Sequence, residues 1–219
     1  NVLESAEDFD LAVHDLIKEY ATQHQRIVFN GNGYAPEWEK EARRRGLPVL
    51  TSMVDAIPAL TTDKAVELFG EFGVFTKTEL ESRAEIQYEI YAKAINIEAK
   101  TMVDMATKQI IPAVIKYTTV LAESINQVKA VGPIDVSVQM DLLKKASKLL
   151  KEVNSTMNKL SKLIDQIETH PEGRDRAVFC REKLVPAMEK LREPVDELEM
   201  LVDKDMWPMP SYGDLVFEP

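Results

Sequence analysis

The sequence predicts a mainly α protein, with long antiparallel helices forming a bundle after a small helical or α/β segment. Three observations carry that reading. No glycine interrupts the chain from Thr78 to Val131, and an unbroken helix over that stretch would span roughly 80 Å at ~1.5 Å per residue. Two later stretches place apolar residues three or four apart, the stripe of a helix with one buried side. The stops at Gly132-Pro133 and His170-Pro171-Glu172-Gly173 are short, so neighbouring helices should pack antiparallel. The character of the chain changes near Phe75, which divides it into residues 1–75 and a long-helix bundle over residues 76–219.

In the first part the elements are short. Ser5 with Glu7 and Asp8 makes a helix start, and Phe9, Ala12, Val13, Leu16, Ile17 and Tyr20 mark one face. Arg26-Ile27-Val28-Phe29 reads as a short extended run, ended by an Asn30-Gly31-Asn32-Gly33 turn that favours positive φ. Pro36 opens a second helix with Glu37 and Glu39 in its first turn and Arg43, Arg44 and Arg45 in its last. Gly46 sits where a C-cap belongs, and the charge order complements the macrodipole. Leu47 to Leu50 could be a second extended piece, and Thr62 to Phe72 a third short helix between Thr61 and Gly73.

The long helices follow. Thr78-Glu79-Leu80-Glu81 resembles a capping start, and Pro112 should kink or break the first long helix near Ile111. The next runs from about Val136 to Thr169, with Val138, Leu142, Leu149, Val153, Leu160, Ile164 and Ile167 as its stripe. In the last, Ala177, Leu184, Met188, Leu191, Val195, Leu198 and Val202 form the buried side, and Pro186 and Pro194 should bend it. Met206-Trp207-Pro208-Met209-Pro210 then cannot continue a helix. The tail from Met206 to Leu215, with Trp207 and Tyr212, should dock onto the helical domain or a neighbouring subunit, with the Trp207 indole N–H on an acceptor.

Composition bounds the function class. At 219 residues the chain can bury a substantial core, and 45% hydrophobic with 29% charged residues is ordinary for a soluble globular protein. A net charge of −10 argues against a nucleic-acid groove or an anionic membrane surface. No apolar run is long enough to span a bilayer, and no signal peptide opens the chain. One cysteine excludes an internal disulfide and fits a reducing, cytoplasmic setting. The start at Asn1, without Met, suggests a fragment or processed form.

Motifs for chemistry are sparse. His14, His24 and His170 lie far apart and show neither His-x-x-x-His nor Glu-x-x-His spacing, so no metal ligand is assigned. Cys180 has no local His to act as base, which favours a structural thiol. Asn30 to Gly33 has the glycines of a phosphate-cradling turn without the full motif, and Glu37 and Glu39 behind it would repel an anion. Arg43-Arg44-Arg45 reads as helix-end charge or as salt bridges to another domain. Glu98, Lys100 and Asp104 read as a solvated helix face, an intrahelical network or an interface pair. No catalytic, cofactor-binding or metal residue is assigned to this chain.

Three blocks nevertheless resemble the C-terminal region of type III glutamine synthetases. They are Ile27 to Tyr34 with Glu37-Trp38, then Asn96 to Met102, then Leu198 to Lys204 running through Met206-Trp207-Pro208 to Tyr212-Gly213-Asp214-Leu215. The resemblance implies a non-catalytic helical domain behind a catalytic core that joins ammonia to glutamate. ATP and magnesium or manganese are implied for that parent, none for this chain. The implied partners are the chain's own upstream catalytic domain and other subunits of a homo-oligomer. An independent helical protein-interaction module, unconnected to an enzyme, is the competing reading.

Overall fold

The computed structural model describes residues 8–217, and no strand forms among them. By internal contacts the chain divides into two units, one reaching to Thr51 and the other beginning at Ser52. That division lies upstream of the change in sequence character at Phe75. The reason is that the short helices after Ser52 already pack on the first long helix.

The first unit holds α1 (Phe9–Gln23), a 3-10 turn at Gln25–Ile27, and α2 (Pro36–Arg44). Asp8 caps α1 by accepting from the Leu11 N–H. The expected start at Ser5 and Glu7 lies outside the described residues. Pro36 is the first residue of α2, Glu37 and Glu39 fill its first turn, and Gly46 takes φ +66°, the left-handed geometry that favours glycine. The extended run expected at Arg26–Phe29 does not form. Gln25–Ile27 is a 3-10 turn, and the backbone beyond it pairs with no partner strand. Leu47–Leu50 is likewise irregular, and neither Gly31 nor Gly33 has positive φ. A side chain explains the first difference: Arg45 takes the carbonyls of Gln25, Arg26 and Val28, which a strand would need for its ladder.

The second unit opens with α3 (Met53–Ala56), a 3-10 turn at Ile57–Thr61, and α4 (Asp63–Glu71), capped by Thr62. Gly73 then takes φ +62° to leave the helix. The first long helix begins as α5 (Lys77–Met105), and its start is a capping box on Thr76, two residues before the expected Thr78. The Thr76 hydroxyl accepts from the Glu79 N–H at 3.3 Å while the Glu79 carboxylate accepts from the Thr76 N–H at 2.7 Å. The Thr76 N–H, and after it the Thr76 hydroxyl donating to the same carboxylate, hold the Glu79 carboxyl below its ordinary range. Thr76→Ala should lower stability by about 1 kcal/mol, read by denaturant unfolding.

Pro112 neither breaks nor ends the long helix. A π-helical turn at Ala106–Ile110 leads directly into α6 (Ile111–Val131), with the Ile111 N–H bonded to the Ala106 carbonyl. A proline ring collides with the carbonyl four residues back, here that of Lys108. The wider turn opens that spot, so the helix continues. The last helix repeats the arrangement. Between α8 (Arg174–Phe179) and α9 (Val185–Glu199), a π turn at Cys180–Leu184 precedes Pro186. Pro194 sits buried within regular α9.

Between these lies α7 (Ser137–Ile164), which packs on both α6 and α9, while α8 packs on α5. Leu149, Val153, Leu160 and Ile167 of the middle stripe are buried, as are Ala177, Leu184, Leu191, Leu198 and Val202 of the last. Val138 is the exception at 69% exposed, because α7 has barely begun there and the neighbouring Val136 takes the inward place. Small residues at Ala84, Ala92, Ala99, Ala106 and Ala146 are buried as well, and let the helix backbones approach.

Candidate functional site

Two arrangements stand out among the described residues, a tail packed on the second unit and an arginine clasp in the first. In the second unit the tail follows α9 through a 3-10 turn at Lys204–Met206, which packs on α6. Met206, Trp207 and Met209 pack against the core. Trp207 and Met209 then close one wall of a 280 Å³ cleft whose other walls include Met102, Met105 and Ala106 at the π turn, with Leu191 and Val195 of α9. The docking expected for the tail is thus formed in its first half. The expected acceptor is missing, since the Trp207 Nε1 is buried with no hydrogen-bond partner.

The second half of the tail does not pack on the bundle. After Pro210 a short helix, α10 (Tyr212–Phe217), forms and stays in solvent, with Tyr212 88% exposed. Its start is built on Ser211 and Asp214. The carboxylate accepts from the Ser211 N–H at 2.6 Å and from its hydroxyl at 2.7 Å, and Lys204 pairs with it at 2.8 Å. Lys204 and Ser211 together hold the Asp214 carboxyl at about 2, against an ordinary 3.8. A depressed carboxyl stabilises the folded form above its unfolded value and ceases to do so as pH falls through the folded one. The α10 signals in an NMR titration should therefore hold at pH 5 and melt between about pH 4 and pH 2.

In the first unit, two arginines clasp the chain from both sides. Arg26 donates to the carbonyls of Arg45 at 2.7 Å and Gly46 at 2.5 Å. Arg45 donates back to Val28 at 2.5 Å and to Glu41 at 2.6 Å. Its guanidinium also lies 5.9 Å from the Phe29 ring centre and 6.0 Å from that of Trp38, and these two rings stand 4.5 Å apart. Arg44 and Arg45 hold the Glu41 carboxyl at about 2, the hydrogen bond from Arg44 being the largest cause. Of the basic triplet, then, Arg45 ties its own unit together, a role that helix-end charge did not suggest. The signal was present in Phe29 and Trp38, two aromatics within reach of a guanidinium.

The remaining candidates have structural surroundings. Cys180 is fully buried, and burial pushes its thiol upward, away from the thiolate a nucleophile needs. His170 stacks on Phe179 with ring centres 4.0 Å apart, and its carbonyl accepts from Arg176. His14 is exposed beside Asp15, and His24 ends α1. Glu98, Lys100 and Asp104 are exposed, with Asp104 paired to Lys108 one turn on. Arg181 pairs with Asp55, joining the second π turn to α3, a link no local spacing announces. Among the described residues no three His, Cys, Asp or Glu side chains converge to hold a metal ion. The Asn30–Gly33 turn leads into the acidic first turn of α2, so these residues do not fit an ATP–metal complex.

Residues 12–129 match the family described as glutamine synthetase C-terminal domain. A glutamine synthetase of Butyrivibrio fibrisolvens is 33% identical over 214 residues, covering 97% of this chain and 31% of the relative. A type-3 glutamine synthetase of Dictyostelium discoideum is 33% identical over 211 residues, covering 94% and 29%. A glutamine synthetase of Bacteroides fragilis (strain YCH46) is 30% identical over 216 residues, covering 95% and 29%. The chain thus spans about a third of the length of the curated relatives it matches. With its helical architecture and this match over more than half its length, the chain belongs to the glutamine synthetase C-terminal domain family.

Proposed function

We propose that this chain is the non-catalytic helical domain of a type III glutamine synthetase, serving oligomer assembly or contacts between subunits. The whole protein would ligate ammonia to glutamate at the expense of ATP, with magnesium or manganese bound upstream of this segment. One observation carries the reading: the chain aligns nearly end to end with a single third of glutamine synthetases. Exposed apolar side chains such as Tyr212, Leu215 and Phe217 on α10 supply surface for subunit contacts. The single, buried Cys180 accords with a cytoplasmic setting. No helix among the described residues is long and apolar enough to cross a membrane.

Light scattering tests the assembly role. Full-length protein should form a homo-oligomer, and removing this segment should leave smaller species. An oligomer of unchanged size after removal would refute the role. Titrating magnesium or manganese with ATP into residues 1–219 alone should give no stoichiometric heat, whereas micromolar binding would place a nucleotide site here.

A further inference from the structure

We propose that the cleft between α7 and α9 is a docking groove for an acidic helical segment of a partner protein. The cleft is formed wholly by residues of the second unit and has a volume of 340 Å³. Lys159 of α7 lines one side, and Lys183 of the second π turn with Lys190 of α9 lines the other. Leu163, Pro186 and Ala187, all half-buried, supply the apolar part of the lining.

The local charge opposes that of the whole chain, which is −10. In the first half of α7, Lys144, Lys145 and Lys148 each have a carboxylate within 4 Å. Among the described residues, Lys159, Lys183 and Lys190 have none. The reason is visible in the sequence, since no acidic residue occurs from Val153 to Ile164. The one carboxylate in the lining, Glu182, is taken by Arg181 at 3.3 Å. The cleft thus presents uncompensated positive charge beside an apolar surface, and complementarity calls for an anionic partner that also carries apolar groups.

Spacing selects the class of partner. Lys183 and Lys190 are seven residues apart, two helix turns, or roughly 10 Å along the axis. A single phosphate or carboxylate can meet only one of them at a time. A partner helix carries acids at the same seven-residue interval, with apolar residues between them on the same face to meet Leu163, Pro186 and Ala187. Among the described residues no aromatic ring lines the cleft for a base to stack on, and the overall negative charge would repel a nucleic acid.

Calorimetry on full-length protein tests it, the probe being a synthetic helical peptide with glutamates seven residues apart and leucines between. The peptide should bind saturably, with a dissociation constant on the order of 10–100 µM. Raising NaCl from about 50 to about 500 mM should weaken it by about tenfold, and a peptide with glutamine for each glutamate should not bind. Lys183→Glu together with Lys190→Glu should weaken the glutamate peptide by about tenfold. Lys159→Glu alone should weaken it from the opposite side of the cleft, whereas Lys151→Glu, on the same helix outside the cleft, should leave it unchanged. No saturation by about 1 mM peptide, or binding that persists in both the double variant and Lys159→Glu, would overturn the proposal. Inorganic pyrophosphate binding more tightly than the peptide, and lost in the same variants, would overturn it in favour of a small-anion site.

Discussion

Truncating Leu184 to alanine should destabilise the second unit by about 2–5 kcal/mol, the range for a fully buried leucine that leaves a cavity. Leu184 is wholly buried at the end of the second π turn, where the last helix faces the long one. The proline just beyond it, Pro186, fixes the backbone there, so neighbours have little freedom to collapse into the space. The upper half of the range is therefore expected. Leu160→Ala and Leu191→Ala should behave similarly, since both are equally buried. Lys151→Ala and Lys159→Ala lie on exposed positions and should stay within about 0.5 kcal/mol. Denaturant unfolding of the five variants checks the register. Uniformly small effects would mean the helical faces are wrong.

Removing the tail from Met206 onward should cost about 3–5 kcal/mol, comparable to losing a large aromatic from a core. Met206, Trp207 and Met209 all pack on the bundle, and their departure would expose Leu191 and Val195 along the cleft. Trp207→Ala alone should cost about 3 kcal/mol, the low end of the range, because the ring is only partly buried. Trp207→Phe is the informative variant. The Nε1 donor is buried without a partner, and an unpaired buried donor carries a desolvation cost of about 1–3 kcal/mol. Phenylalanine removes that donor along with some contact area, so the two effects oppose and the net change should stay near zero. A loss as large as that of Trp207→Ala would show that the indole N–H has an acceptor in solution.

Much of this was legible in the sequence wherever a repeat was long. Seven-residue stripes over α7 and the last helix average out local exceptions, which is why Leu149, Leu160, Leu184 and Leu191 are all buried. Helix starts could also be read to within a residue or two, as at Pro36, near Thr62 and at Thr78 against the true cap on Thr76. What stayed hidden depends on neighbours distant in sequence. A π turn precedes both Pro112, where a kink or break was expected, and Pro186, where a bend was, and in each case the helix continues past the proline. The extended run at Arg26–Phe29 yields to a 3-10 turn because Arg45, seventeen residues past Val28, captures its carbonyls. The tail could be recognised as docked from Trp207, whereas α10 after Pro210 was missed although Ser211 and Asp214 stand at the three-residue spacing of a reciprocal cap.

The central proposal is that this chain is a non-catalytic helical domain of a glutamine-forming ligase. A glutamine-formation assay, run with ammonia, glutamate, ATP and magnesium or manganese, tests it most directly. Full-length protein should form glutamine, and residues 1–219 alone should form none above the uncatalysed background. Glutamine formation by the 1–219 segment, or a full-length protein that binds these substrates yet never forms glutamine, would contradict it.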